Sequence, residues 1–211
     1  RFVLEVYRAI RAEVGPEFPI GIKLNSADFQ RGGFTEDESL AVITALQEAG
    51  IDMIELSGGT YEAPAMSDEK RHNERTLSRE AYFLEFAEKI RSQVQVPLMV
   101  TGGFRSLAGM AAAVESGALD LVGMARGLAI EPDLPLRLLA GQEAQHTVRP
   151  IRTGIGAVDR MALMEVVWYS RQLRRMGRGK APKPNESGLW AFLANLVHNG
   201  VDTWKTRRLR A

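Results

Sequence analysis

Cysteine is absent from these 211 residues. That excludes a disulfide framework, a thiolate metal site and a thiol nucleophile. Histidine is nearly as scarce. His72, His146 and His198 lie far apart with no metal-ligand spacing, so no metal is expected. No apolar run approaches the roughly 20 residues that cross a bilayer, and no signal segment opens the chain. No membrane partner and a cytoplasmic location are the corresponding expectations. An initiating methionine is missing too. The chain starts at Arg1 inside an amphipathic pattern (Phe2, Val6, Ile10), which predicts a piece of a longer protein.

What is present is ordinary for a globular chain, 45% hydrophobic and 25% charged, and long enough to bury a sizeable core. The net charge of +1 hides an asymmetry. Residues 151–211 hold 12 Lys/Arg against 4 Asp/Glu, together with all three tryptophans (Trp168, Trp190, Trp204). A basic, aromatic tail suggests nucleic acid or a membrane surface. The basic residues cluster as they do on a solvated helix face, however, and no nucleic-acid partner is expected.

Helix and strand signals alternate along the first two thirds of the chain. A helix over 2–14 stops at Gly15-Pro16, and 19–24 (PIGIKL) reads as a short buried strand. Thr35 and Glu38 form a capping-box pattern that starts a helix running to 49. Strand 52–56, a long polar loop over 57–77, helix 78–93, strand 97–101, helix 106–116 and strand 119–123 follow. Pro132 is suited to start one more helix, because its missing N–H costs nothing in a first turn. Beyond Gly141 the signals are helical only, over 158–176 and 189–199, with a Pro/Lys-rich connection (GKAPKPNES) between them.

Strands separated by crossover helices imply a parallel sheet. An open doubly wound sheet fits this series, but no GxGxxG follows any strand. Two strand ends decide for a barrel. PLMVTGGFRS and DLVGMARGL each finish in small residues with an arginine close behind. Gly102, Gly103, Gly123 and Ala125 leave N–H groups uncovered, and Arg126 supplies a cation, as in the phosphate cup after the last two strands of many (β/α)₈ barrels. One Gly-Gly alone would read as a tight turn; the pair, one helix apart, favours the cup. Lys23 sits alone at the end of an apolar strand. It points either into a site at the barrel mouth or at Glu55 on the neighbouring strand, and the two are compatible. Tyr61 either closes over a ligand or packs in its loop.

KLNSADFQRGGF, ELSGGTYE, VTGGFRS and LVGMARG stand in the order and spacing of the old yellow enzyme family of FMN-dependent NADH:flavin oxidoreductases, which this chain resembles from RFVLEV through at least Pro135. The helical tail looks like that of one branch of these enzymes. The resemblance implies an α/β fold comprising the last four units of a TIM barrel (1–140) with a helical C-terminal extension (141–211). It implies FMN as cofactor, NADH or NADPH as donor and a small-molecule substrate such as an activated alkene. Lys23 would match the basic residue beside the flavin N1/C2 carbonyl, an arginine in many relatives. Gly102 and Gly103 would face the FMN phosphate. Ala125 and Arg126 would complete the cup, Ala125 standing where relatives often carry glycine. The family's proton donor and carbonyl ligands belong to earlier strands, so no catalytic residue is expected here. The 211 residues alone should bind FMN weakly and be inactive, and a half-barrel should be sticky or form a homo-oligomer. Two alternatives stand beside this: another phosphate-binding barrel enzyme, an isomerase or lyase with Lys23 as its reactive amine, and a non-catalytic module that binds anions through the basic tail.

Overall fold

The computed structural model describes residues 1–58, 83–104, 106–142, 149–160 and 163–209, with side chains up to residue 200. Two compact units are present: Arg1–Ala125 with Gly141–Gln145, and Arg126–Ala140 with His146–Ala211.

The first unit opens with helix α1 (Phe2–Val14), ended at Gly15, whose φ of 81° suits a residue without Cβ and whose N–H reaches the Arg11 carbonyl at 3.0 Å. Strand β1 (Gly21–Asn25) follows, then α2 (Glu36–Glu48), β2 (Met53–Ser57), α3 (Leu84–Ile90) with a 3₁₀ turn at Arg91–Gln93, β3 (Leu98–Thr101), α4 (Leu107–Glu115) and β4 (Leu121–Gly123). The expected capping box is formed: the Glu38 N–H donates to Thr35 Oγ1 while the Thr35 N–H donates to Glu38 Oε2. Ser106 likewise caps α4 by accepting from the Gly109 N–H at 3.1 Å. The beginning of the helix expected over 78–93 lies outside the described residues.

All four strands run parallel in the order β1-β2-β3-β4. Right-handed crossovers in such an unreversed order place every connecting helix on one face, unlike a doubly wound sheet, where the order reverses. The burial pattern agrees. Ile54, Leu56, Leu98 and Val100 alternate on one face and are fully buried, as are Ile43 and Leu46 of α2 and Ala87 and Ile90 of α3. The opposite face carries Lys23, Glu55, Met99 and Leu121, partly or fully exposed. At α1 the buried face is not the apolar one. Its apolar stripe (Phe2, Val6, Ile10) is exposed, and the buried residue is Tyr7, whose hydroxyl donates to the Gly50 carbonyl at 2.6 Å.

The second unit contains α5 (Leu134–Leu139), the single turn α6 (Gly156–Asp159), α7 (Met164–Met176) and α8 (Gly188–Leu209). Trp168 is its pivot, buried with Ala129, Ile151, Met164, Tyr169 and Ala191. Its indole N–H donates to the Glu186 carbonyl at 2.9 Å. Three expectations are corrected here. Pro135, not Pro132, occupies the first turn of α5. The helix expected over 158–176 is two separate helices. Finally, α8 runs to Leu209 rather than stopping at 199, because Gly200 keeps a helical φ and an interior glycine costs only about 1 kcal/mol.

Candidate functional site

In parallel sheets flanked by helices, sites form at the C-terminal ends of the strands. In the first unit the opposite, N-terminal edge is closed by side-chain clamps. Asp52 accepts from the Ile20 N–H and from the Arg11 guanidinium, and Asp120 accepts from the Leu98 N–H and Arg91. These contacts hold the Asp52 carboxyl below the usual carboxylate range, the Ile20 N–H first and Arg11 second.

At the C-terminal edge, Lys23 and Glu55 stand opposite one another in register, with Nζ 2.6 Å from Oε1. Lys23 is half exposed, and pairs of this kind contribute little to stability. What the pair does is fix the direction of the ammonium group. Beyond β1 the chain makes a pinned loop. Asn25 Nδ2 donates to Asp28 Oδ1 at 3.0 Å, the Phe34 N–H donates to Asp28 Oδ2 at 3.1 Å, and the Asp28 N–H returns to the Phe34 carbonyl. Asn25 and then the Phe34 N–H lower the Asp28 pKa. At the tip, Phe29 has φ 56°, the single positive φ among described non-glycine residues. Its ring is 45% exposed and stacks on buried Phe83, centroids 6.4 Å apart. Both rings crowd Gly58, where an added Cβ would lie 2.5 Å from Phe83 and 2.9 Å from Phe29. Gly59 and Tyr61 lie outside the described residues.

The third strand ends in Thr101, Gly102 and Gly103. Both glycines have positive φ (107° and 89°), a backbone that side-chain-bearing residues rarely adopt. Thr101 pairs in register with Gly123, and a Cβ on Gly123 would sit 1.9 Å from Thr101 Oγ1. That hydroxyl is buried without a hydrogen-bond partner among the described residues. The Gly102 N–H reaches the Gly123 carbonyl across a long 3.4 Å, while no described residue accepts from Gly103. Ala125 is exposed. Arg126 begins the second unit, where its Nη1 donates to Glu165 Oε2 at 3.0 Å.

An unsatisfied hydroxyl beside the Gly103 N–H, with the Gly102 N–H held only by a long bond, is a donor set suited to a small oxyanion such as a phosphate. The model of the NADH:flavin oxidoreductase / NADH oxidase family matches residues 1–145. The chain belongs to that family. FMN, with NADH or NADPH as donor, is therefore the cofactor set these donors are to be judged against, and the donors fit its phosphate. The isomerase or lyase alternative is not favoured by this membership.

Among curated relatives, NADH-dependent flavin oxidoreductase iccE of Talaromyces variabilis is 41% identical over 198 residues, covering 84% of this chain and 47% of the relative. NADH-dependent flavin oxidoreductase iliE of Neonectria sp. (strain DH2) is 44% identical over 144 residues, 64% of this chain and 18% of that one. The chain thus spans under half the length of these two relatives. Among solved structures, a 2-naphthoyl-CoA reductase complex superposes with TM-score 0.58 at 27% identity, covering 67% of this chain and 21% of that one. Morphinone reductase shares the fold, with TM-score 0.50 at 22% identity over 71% of this chain and 36% of its own.

Three members of this constellation escaped sequence reading. Thr101 was visible as the residue before Gly-Gly, but its lack of a partner is a property of packing. Phe29 carried no signal beyond being a loop aromatic. Glu165, the partner of Arg126, lies in a later helix that no sequence spacing links to it.

Proposed function

We propose that the chain carries the phosphate-binding side of an FMN-dependent oxidoreductase site, with β1 to β4 as the last four strands of a (β/α)₈ barrel and residues 141–211 as its helical extension. The strand end Thr101–Gly102–Gly103 carries this reading. A buried hydroxyl left unpaired costs about 1–3 kcal/mol. A phosphate oxygen accepting from Thr101 Oγ1, with further oxygens on the Gly103 N–H and on the Gly102 N–H in exchange for its long bond to the Gly123 carbonyl, offsets that cost. Ala125 keeps the neighbouring strand end small, and Arg126, next along the chain, supplies the cation. Lys23, already aimed by Glu55, is the positive charge for the N1/C2 carbonyl edge of the flavin ring.

Bound FMN would supply a group that takes a hydride from NADH or NADPH and passes it to an acceptor such as an activated alkene. The chain's own contribution is to anchor the phosphate and to place a cation where negative charge develops. No residue here is assigned to hold the acceptor's carbonyl or return a proton, so the 211 residues alone bind FMN weakly and do not turn over.

The test compares FMN with riboflavin, which lacks the phosphate, by fluorescence titration of the longer protein containing these residues. FMN should bind more tightly. Thr101→Val should narrow the difference, and Arg126→Ala should weaken FMN by about 1–3 kcal/mol while sparing riboflavin. Equal affinities for the two flavins in the unsubstituted protein would sink the proposal.

A further inference from the structure

A second anion-seeking feature lies wholly within the helical unit. Arg171, Arg174 and Arg175 of α7, with Arg178 just beyond its end, recur at helical spacing and emerge on one face. They line a cavity of about 130 Å³ whose other wall is Ala194, Asn195 and His198 of α8. Among the described side chains no carboxylate lines it. Two of the four guanidinium groups are fixed. Arg171 Nε donates to Glu186 Oε2 at 2.9 Å, and Arg175 donates through Nε and Nη2 to the Ala181 carbonyl at 3.1 and 2.9 Å. The Arg174 and Arg178 side chains have no hydrogen bond or ion pair among the described residues.

Like charges one turn apart repel each other. The C-terminal dipole of α7 welcomes cations in its last turn and explains a basic residue or two there. It does not explain four guanidinium groups gathered around a hollow with an amide and an imidazole opposite. The guanidinium fork matches phosphate geometry bidentately, and fixed forks lose less freedom on binding than mobile ones.

We propose that the hollow between α7 and α8 binds a phosphate group, either as the free ion or as the monoester of a phosphorylated nucleotide. Arg171 and Arg175 form the preset floor, while Arg174 and Arg178 close on the ligand. The site is built wholly from residues of the second unit and does not depend on the flavin reading.

Thermal denaturation and calorimetric titration of the full chain with inorganic phosphate test it, against sodium chloride at matched ionic strength. Phosphate should raise the midpoint saturably and chloride should not. The R174Q/R178Q double variant should bind phosphate at least about tenfold more weakly, the expected loss of charged hydrogen bonds. Its midpoint without phosphate should not fall, since removing two like charges relieves repulsion. A saturable response to NADP⁺ with none to NAD⁺ or inorganic phosphate would assign the hollow to the nucleotide's phosphomonoester; a response to inorganic phosphate assigns the free ion. Should the double variant not fold, phenylglyoxal labelling of the unsubstituted chain, read by peptide mass, should show Arg174 and Arg178 protected by phosphate. A response that chloride reproduces, an undiminished response in a folded variant, or no protection would overturn the proposal. So would salt-dependent retention on duplex DNA without any phosphate effect.

Discussion

Lys23 and Glu55 illustrate how one residue serves two demands. Within the sheet each compensates the other's charge; toward a bound flavin, Glu55 also subtracts from the field Lys23 exerts. The two substitutions should therefore shift the flavin potential in opposite directions. In FMN-loaded protein, Lys23→Met should lower the reduction potential and slow flavin reduction, while Glu55→Gln should raise the potential. Spectroelectrochemical titration reads both, and unchanged values in Lys23→Met would remove its role. Pattern alone found Lys23 and even its partner, because a lone cation in an apolar strand has few places to go. It did not find Phe29. A positive φ in a bulky residue costs about 1–2 kcal/mol and is sustained only because Asp28 holds both ends of the loop, a relation set by three-dimensional closure.

Among elements, the two edges of the sheet are built differently. The N-terminal edge is laced by side chains accepting from backbone. Asp52 holds Ile20 and Arg11, and Gln47 Oε1 accepts from the Gln95 and Val96 N–H groups. Because folding lowers the Asp52 pKa below its ordinary value of 3.8, the ionised carboxylate favours the folded chain. Its contribution is complete above the unfolded-state pKa and fades as pH falls through the lower folded-state value. Asp52→Asn should thus lower stability near neutral pH and flatten its decline in the acid range, measured by urea denaturation from pH 7 to pH 2. A parallel acid decline in both proteins would exclude Asp52 as a contributor. Element types were largely legible, since α1, α2 and all four strands follow periodicity, caps and Gly-Pro stops. Where reading failed, a local signal was outweighed. Gly200 did not stop α8, and Pro132 did not start α5.

Taken as a whole, the first unit has an asymmetric sheet. One face is covered by helices; the other exposes Lys23 and Leu121, and β1 and β4 are the outer strands of the described sheet. The Phe2 stripe of α1 is uncovered as well. Parallel sheets are rarely stable with one face bare. In isolation the 211-residue chain should therefore self-associate, and sedimentation velocity should show mass rising with concentration. A monomer throughout would mean that four strands suffice unaided, against their being part of a closed barrel. The parallel α/β class was readable from alternation, and the unreversed order was foreshadowed by the missing GxGxxG. The boundary between units was not readable: Arg126–Ala140, continuous with the last strand in sequence, packs with the helices.

The stretch between α7 and α8 has the composition of a loose tether, rich in proline and lysine. Its atoms are nonetheless engaged along its length. The Ala181 carbonyl is held by Arg175, the Lys183 N–H by Gln172, the Pro184 carbonyl by Arg149, and the Glu186 carbonyl by Arg149 and Trp168. Such a segment acts as a buckle. The stretch can peel away from α7 only if these fastenings release together, so a segment whose letters spell slack is held as a clasp.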